Sequence, residues 1–194
     1  SIGALLPQMH GDLRLMRAVK DEEEIALMKR AQAITDAAFA HMLEFIRPGL
    51  TEKQIKLELE NFMFENGADG LAFGSIVAAG PNAANPHAIP SDRPVQKGEF
   101  VLMDYGARYH DYDSDMTRTV AVGEPSAKMR EIYDLVQRTH EECAKAVYAG
   151  VDGNEIHELS RKIIGDAGYG EYYGHGLGHG VGIDIHELPN FGRT

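Results

Sequence analysis

VLMDYGARYHDYDSDMTRT, residues 101–119, is the stretch that decides the fold. Val101, Leu102 and Met103 make a short apolar run into Asp104, and from Ser114 the chain alternates through Asp115, Thr117 and Thr119. Both halves read as strands. A fold-back about Tyr109–His110 sets Asp104 directly opposite Asp115. Two carboxylates facing each other across a ladder repel, and a cation between them removes the repulsion. Carboxylate oxygens suit hard divalent ions such as Mn²⁺ or Mg²⁺, and a neighbouring imidazole adds zinc, iron or cobalt to the choice. The competing reading is a solvated hairpin, because Asp-Tyr-Asp beside a turn is also ordinary loop chemistry. A third ligand elsewhere in the chain decides between them.

The composition fits a cation or a small substrate better than a polyanion. The net charge of −11 opposes nucleic acid or an anionic membrane surface as the main partner. A chain of 194 residues, 43% hydrophobic and 25% charged, is long enough for one good core or two small domains. No apolar run approaches transmembrane length, and the N-terminus lacks the basic-then-apolar pattern of a secretory leader. The single cysteine, Cys143, lies in an apolar helical pattern and reads as a small buried hydrophobe. It leaves no internal disulfide, as expected for a reducing, cytoplasmic setting.

Residues 1–20 show no clear period and read as a linker or lead-in; residues 21–194 read as the working domain. Asp21 and Glu24 form a capping box that opens a helix, with Ile25, Met28, Ala31, Ile34, Ala38, Met42 and Phe45 as its apolar stripe and Pro48-Gly49 as its stop. Thr51 and Gln54 cap a second helix carrying Ile55, Leu59, Phe62 and Met63 as far as Gly67. LAFGSIVAAG, residues 71–80, reads as a strand that runs into a polar loop holding His87.

From Glu124 the pattern repeats. Met129, Ile132, Tyr133, Val136, His140, Cys143 and Val147 make a helix ended by Gly150, and Asp152 with Glu155 caps another that ends by Gly168. A shift of 101 residues carries Met28 to Met129, Ile34 to Leu135, Gly49 to Gly150, Ile55 to Ile156 and Gly67 to Gly168. Matched caps and terminal glycines indicate an α+β fold, a duplicated helix–helix–antiparallel-sheet unit. The aspartate hairpin, shifted likewise, falls beyond Thr194, so the second copy is expected to be incomplete.

The last informative stretch is YGHGLGHGVG, residues 173–182, followed by IDIHELP, residues 183–189. Glycines let backbone approach an ion or substrate closely, and imidazole is a common metal ligand. Together, DYGARYHDYDSDMTRT and HGLGHGVGIDIHELP resemble the catalytic domain of the Xaa-Pro peptidases, Xaa-Pro aminopeptidase and prolidase. These are "pita-bread" metallopeptidases, a fold shared with methionine aminopeptidase and creatinase. The resemblance starts near Leu13 and covers nearly all of the chain.

It implies a metal-dependent exopeptidase that cleaves a bond to proline through a hydroxide bridged by two divalent ions, Mn²⁺ first, with Co²⁺ or Zn²⁺ as alternatives. It implies Asp104, Asp115 and His179 as metal ligands, and His87 and His186 as the groups that hold substrate and stabilise the transition state. His175 corresponds to the additional active-site histidine of the proline-specific members, and with SDMTRT it favours them over methionine aminopeptidase. Creatinase lacks metal ligands that this chain keeps. Short proline-containing peptides and a homodimeric state follow from the same resemblance. Such enzymes complete the site with two glutamates further along, and Glu187 matches neither; the chain is thus expected to hold part of the ligand set. The alternative class is an inactive pita-bread domain that binds peptides or proteins.

Overall fold

The computed structural model describes residues 11–192; the first half of the 1–20 lead-in lies outside them. The chain divides into two compact units. One comprises Val19–Pro125 with Val181–Ile185, and the other Ser126–Gly180 with the described residues up to Ala18 and from His186 on. The remainder of the lead-in is helical at residues 11–18 (α1).

The Val19–Pro125 unit is built on two capped helices. Asp21 accepts from the Glu24 backbone N–H while the Glu24 side chain accepts from that of Asp21, so a reciprocal box opens α2 (Glu22–Phe45). Thr51 and Gln54 do the same for α3 (Glu52–Glu65). LAFGSIVAAG is not one strand. Bends at Ala72 and Phe73 divide it into β1 (Gly70–Leu71) and β2 (Ile76–Ala79), which join different sheets. A 3₁₀ turn, Gly80–Ala84, follows.

β3 (Phe100–Tyr105) is the central strand between β2 and β6 (Met116–Ala121), and β4 (Ala107–Tyr109) lies between β1 and β5 (Tyr112–Asp113). Alternation along β3 turns Val101, Met103 and Tyr105 into the core, each fully buried. They pack with Ile34, Ala38 and Met42 of α2 and Ile55, Leu59 and Met63 of α3. Leu102 and Asp104 occupy the opposite, half-buried face.

The second unit repeats the helix pair. α4 (Ala127–Ala146) and α5 (Gly153–Asp166) pack on each other, and the shift of 101 carries the bounds of α3 onto those of α5. The terminating glycines match in conformation as well. Gly49 and Gly150 have φ of 92° and 93°, and Gly67 and Gly168 have 98° and 86°, left-handed values that favour glycine after a helix. Two expectations differ here. Asp152 caps α5 through the N–H of Asn154, without a box to Glu155. α4 buries Leu135, Thr139 and Cys143, whereas Tyr133, Val136 and Val147 of the expected stripe are exposed. Cys143 is indeed a buried hydrophobe; its thiol faces the Ile156 carbonyl at 3.8 Å, and burial pushes its pKa up. The unit closes with the hairpin β7 (Gly178–Gly180) and β8 (Glu187–Phe191). Among the described residues no helix is long and apolar enough to cross a membrane.

Candidate metal and active site

The hairpin register differs from the one the sequence suggests. The turn falls at His110–Asp111, whose φ values of 47° and 67° give the left-handed pair of a tight two-residue hairpin. Tyr109 therefore pairs with Tyr112, and Asp104 faces Thr117 rather than Asp115. The shift replaces a repulsive pair by an attractive one: the Thr117 hydroxyl donates to Asp104 Oδ1 at 2.8 Å.

The same register, carried between the two ladders, brings Gly106 opposite Asp115. Glycine is required there, because a Cβ on residue 106 would lie 1.8 Å from the Ser114 carbonyl oxygen. Ser114 and Met116 are buried while Asp115 is half-buried and Thr117 exposed, so Asp115 shares the Thr117 side of the chain, diagonal to Asp104. Two carboxylates thus share one face of the hairpin, although not opposite each other.

Asp113, between them in sequence, has a different duty. It is fully buried and accepts two hydrogen bonds from Arg108, Nε to Oδ1 at 2.7 Å and Nη2 to Oδ2 at 2.9 Å. Its backbone N–H donates to the Gly182 carbonyl at 2.8 Å. The Arg108 pKa is raised, chiefly by the hydrogen bonds to Asp113. Thr35 and Ser114 tie the hairpin to α2: their hydroxyls lie 2.7 Å apart, and both approach the Ala107 N–H at 3.0 Å.

His87 stands exposed at the tip of the loop after the 3₁₀ turn, its N–H held by Asn85 Oδ1 at 3.0 Å. The base of that loop is clasped by carboxylates. Arg93 pairs with Glu99, which also accepts from the Gln96 N–H at 3.0 Å. Gly80 (φ 54°) passes so close that a Cβ would lie 2.5 Å from Glu99 Oε1.

In the other unit, His179 on β7 and His186 just before β8 lie with ring centroids 4.3 Å apart. His179 Nδ1 contacts the Gly180 carbonyl at 3.0 Å, and His175 Nδ1 contacts that of Gly176 at 2.7 Å. A carbonyl only accepts, so each Nδ1 carries a proton in these contacts, the arrangement in which Nε2 is the ligating nitrogen of a histidine. Tyr173 meets His175 edge-on at 5.1 Å and is fixed by Ser160, 3.1 Å from its hydroxyl, and by Arg161 at its carbonyl. Glu187, beside His186, is buried and pairs with Arg17 of α1.

Within its own unit, then, the structure brings Asp104 and Asp115 to one face and His179 beside His186. Among the described residues no group of three or more His, Cys, Asp or Glu side chains stands together as a metal cage. The donor chemistry of the two aspartates fits a hard divalent cation, and that of His179 a borderline one. Thr117, Arg108 and Glu99 were not singled out from sequence. Only the alternation Asp115, Thr117, Thr119 carries a trace of the first.

Residues 26–194 match Metallopeptidase family M24, and the chain belongs to that family. Its solved relatives share the pita-bread fold. An X-Pro aminopeptidase from Thermotoga maritima superposes with a TM-score of 0.91 at 42% identity, over 94% of this chain and 52% of that one. An Xaa-Pro dipeptidase from Bacillus anthracis gives 0.91 at 45% identity, over 93% and 51%. Among curated sequences, an Xaa-Pro dipeptidase from Pyrococcus horikoshii is 40% identical over 177 residues, 91% of this chain and 50% of its own length. The chain spans about half the length of the curated relatives it matches.

Proposed function

We propose that residues 21–194 are part of the catalytic domain of a proline-specific metallo-exopeptidase, an Xaa-Pro dipeptidase or Xaa-Pro aminopeptidase. The observation that carries this reading is the brace on Asp104. A carboxylate directed away from the core is oriented by the Thr117 hydroxyl, with Asp115 on the same side of the hairpin. A solvated turn has no need of such an orienting hydroxyl, whereas a metal ligand does. The similarity to enzymes named Xaa-Pro dipeptidase supplies the substrate class.

In this reading Asp104, Asp115 and His179 bind a pair of divalent ions, Mn²⁺ first and Co²⁺ or Zn²⁺ as alternatives. When bound, such ions activate water and polarise the scissile carbonyl. His87 and His186 hold the peptide and donate hydrogen bonds to the oxyanion as it develops. His175, its Nδ1 proton committed to the Gly176 carbonyl, presents Nε2 as an acceptor for the substrate. Short peptides with proline after the scissile bond are the substrates, and a cytoplasmic homodimer is the working form.

The test is a calorimetric Mn²⁺ titration of the chain, paired with hydrolysis of an Xaa-Pro dipeptide. Mn²⁺ binding that is lost in Asp104→Ala and in Asp115→Ala, with hydrolysis requiring the metal, supports the proposal. Binding indifferent to both substitutions overturns it and favours a peptide-binding domain without a catalytic metal.

A further inference from the structure

Glu52 follows the Thr51 N-cap and reads, in sequence, as one more acidic residue in a first turn, where carboxylates complement the helix dipole. In the fold it is 0% exposed, and its carboxylate points inward. Oε1 accepts from the Ala79 N–H at 2.7 Å and from Asn82 Nδ2 at 3.0 Å. Oε2 accepts from the Ser91 N–H at 2.9 Å, from Ser91 Oγ at 2.7 Å and from Asn82 Nδ2 at 3.3 Å. The backbone adds Glu52 N–H to the Arg93 carbonyl at 3.4 Å and Lys53 N–H to that of Ser91 at 3.2 Å.

These donors are not scattered. Ala79 and Asn82 lie on the incoming stem of a loop, Ser91 lies on the outgoing stem, and His87 stands between them at the tip. One buried carboxylate therefore closes the loop at its base. Burial alone disfavours the ionised form, but the donors on Ser91, Ala79 and Asn82 outweigh it and hold the carboxyl below the usual glutamate range. The acceptor is thus an anion at neutral pH, and hydrogen bonds to an anion are the strong ones.

We infer that Glu52 is a positioning residue for His87: by clasping both stems of the loop it fixes where the imidazole stands. The inference rests on the proposed peptidase reading, in which His87 acts on the substrate. Purely structural stabilisation would use any of these contacts, but only a clasp on both stems restricts the tip.

The experiment compares wild type, Glu52→Gln, Glu52→Asp and His87→Ala. A glutamine keeps one acceptor oxygen and turns an amide donor toward one stem, so that stem opens. Expected in Glu52→Gln is amide exchange at Ala79 and Ser91 at least tenfold faster, beyond any change in global stability, with Met103 and Ile55 unaffected. The His87 ring resonances move and broaden, and the shorter but charged Glu52→Asp recovers part of the shift. In Mn²⁺-dependent hydrolysis of an Xaa-Pro dipeptide, Glu52→Gln costs no more when added to His87→Ala, as coupled residues require.

Unmoved His87 resonances, or losses that multiply in the double variant, overturn the inference and leave the peptidase reading intact. Full activity in His87→Ala removes the role of His87 itself, and with it any catalytic consequence of Glu52. The two failures are therefore distinguishable.

Discussion

Thr117 faces Asp104 across the β3–β6 ladder and donates its hydroxyl proton to Oδ1 at 2.8 Å. The bond orients the carboxylate on the face of β3 turned away from the core. Donors that orient a metal ligand in this way usually alter metal affinity by about 10- to 100-fold. Thr117→Val keeps the shape and removes the donor. Mn²⁺ affinity at the proposed site, measured by calorimetry, should fall by about that factor, while the unfolding free energy from urea titration stays within about 0.5 kcal/mol of wild type, because residue 117 is exposed. Unchanged affinity would remove Thr117 from the site.

Gly106 separates β3 from β4 where the chain crosses the Ser114 carbonyl. The contact is backbone against backbone, so no rotamer change relieves it. Gly106→Ala should destabilise the fold by more than about 2 kcal/mol in chemical denaturation, in the range of severe core substitutions. A cost near zero would mean that the hairpin tolerates another path at this point.

Arg108 and Asp113 form a fork-to-fork pair in which the aspartate side chain is fully buried and the arginine side chain is 39% exposed. Arg108→Ala leaves a buried charge without its partner, which costs up to about 3–5 kcal/mol in a fully buried pair. The solvent access of the guanidinium lowers the expected loss to about 2 kcal/mol. Arg108→Lys should recover less than half of it, because an ammonium cannot make the bidentate contact. Denaturation of the three proteins at pH 7 decides this, and equal stability of lysine and arginine would contradict the bidentate account.

The Glu52 carboxyl is depressed in the folded chain, so its contribution to stability is present above its unfolded value, about 4.3. It is lost as the pH falls through the lower folded value. Wild type should thus lose stability below about pH 4.3 relative to Glu52→Gln, which is less stable at pH 7. A stability difference between the two that is independent of pH from 7 to 3 would show that the carboxyl is not held ionised.

The helices were legible in the sequence because their signals are local. A cap needs a side chain within three residues of the N–H groups it satisfies, so Asp21 with Glu24 and Thr51 with Gln54 announce themselves. The repeat was legible for the same reason, since glycines 49, 67, 150 and 168 each answer to a single left-handed turn. Asp104 and Asp115 came from the alternation of the hairpin, while the roles of His87, His175, His179 and His186 came from a family resemblance rather than from spacing. The structure shows the surroundings of each within its own unit.

The sequence by itself determined the helix ends, the duplicated helix pair and the polar identity of the hairpin, all set by contacts within a few residues. Only the tertiary structure decided the register. His110 and Asp111 are not a glycine-containing turn pair, and the two-residue slip that puts Thr117 opposite Asp104 depends on α2 holding Ala107 and Ser114 through Thr35. It also decided which apolar stripe of α4 is covered: periodicity marks a face that can be buried, and burial falls on Leu135, Thr139 and Cys143. Glu52 shows the same division. Its place in the first turn is local, but the carboxylate faces the stems of the His87 loop because residues 79 and 91, 27 and 39 positions away, bring donors to it.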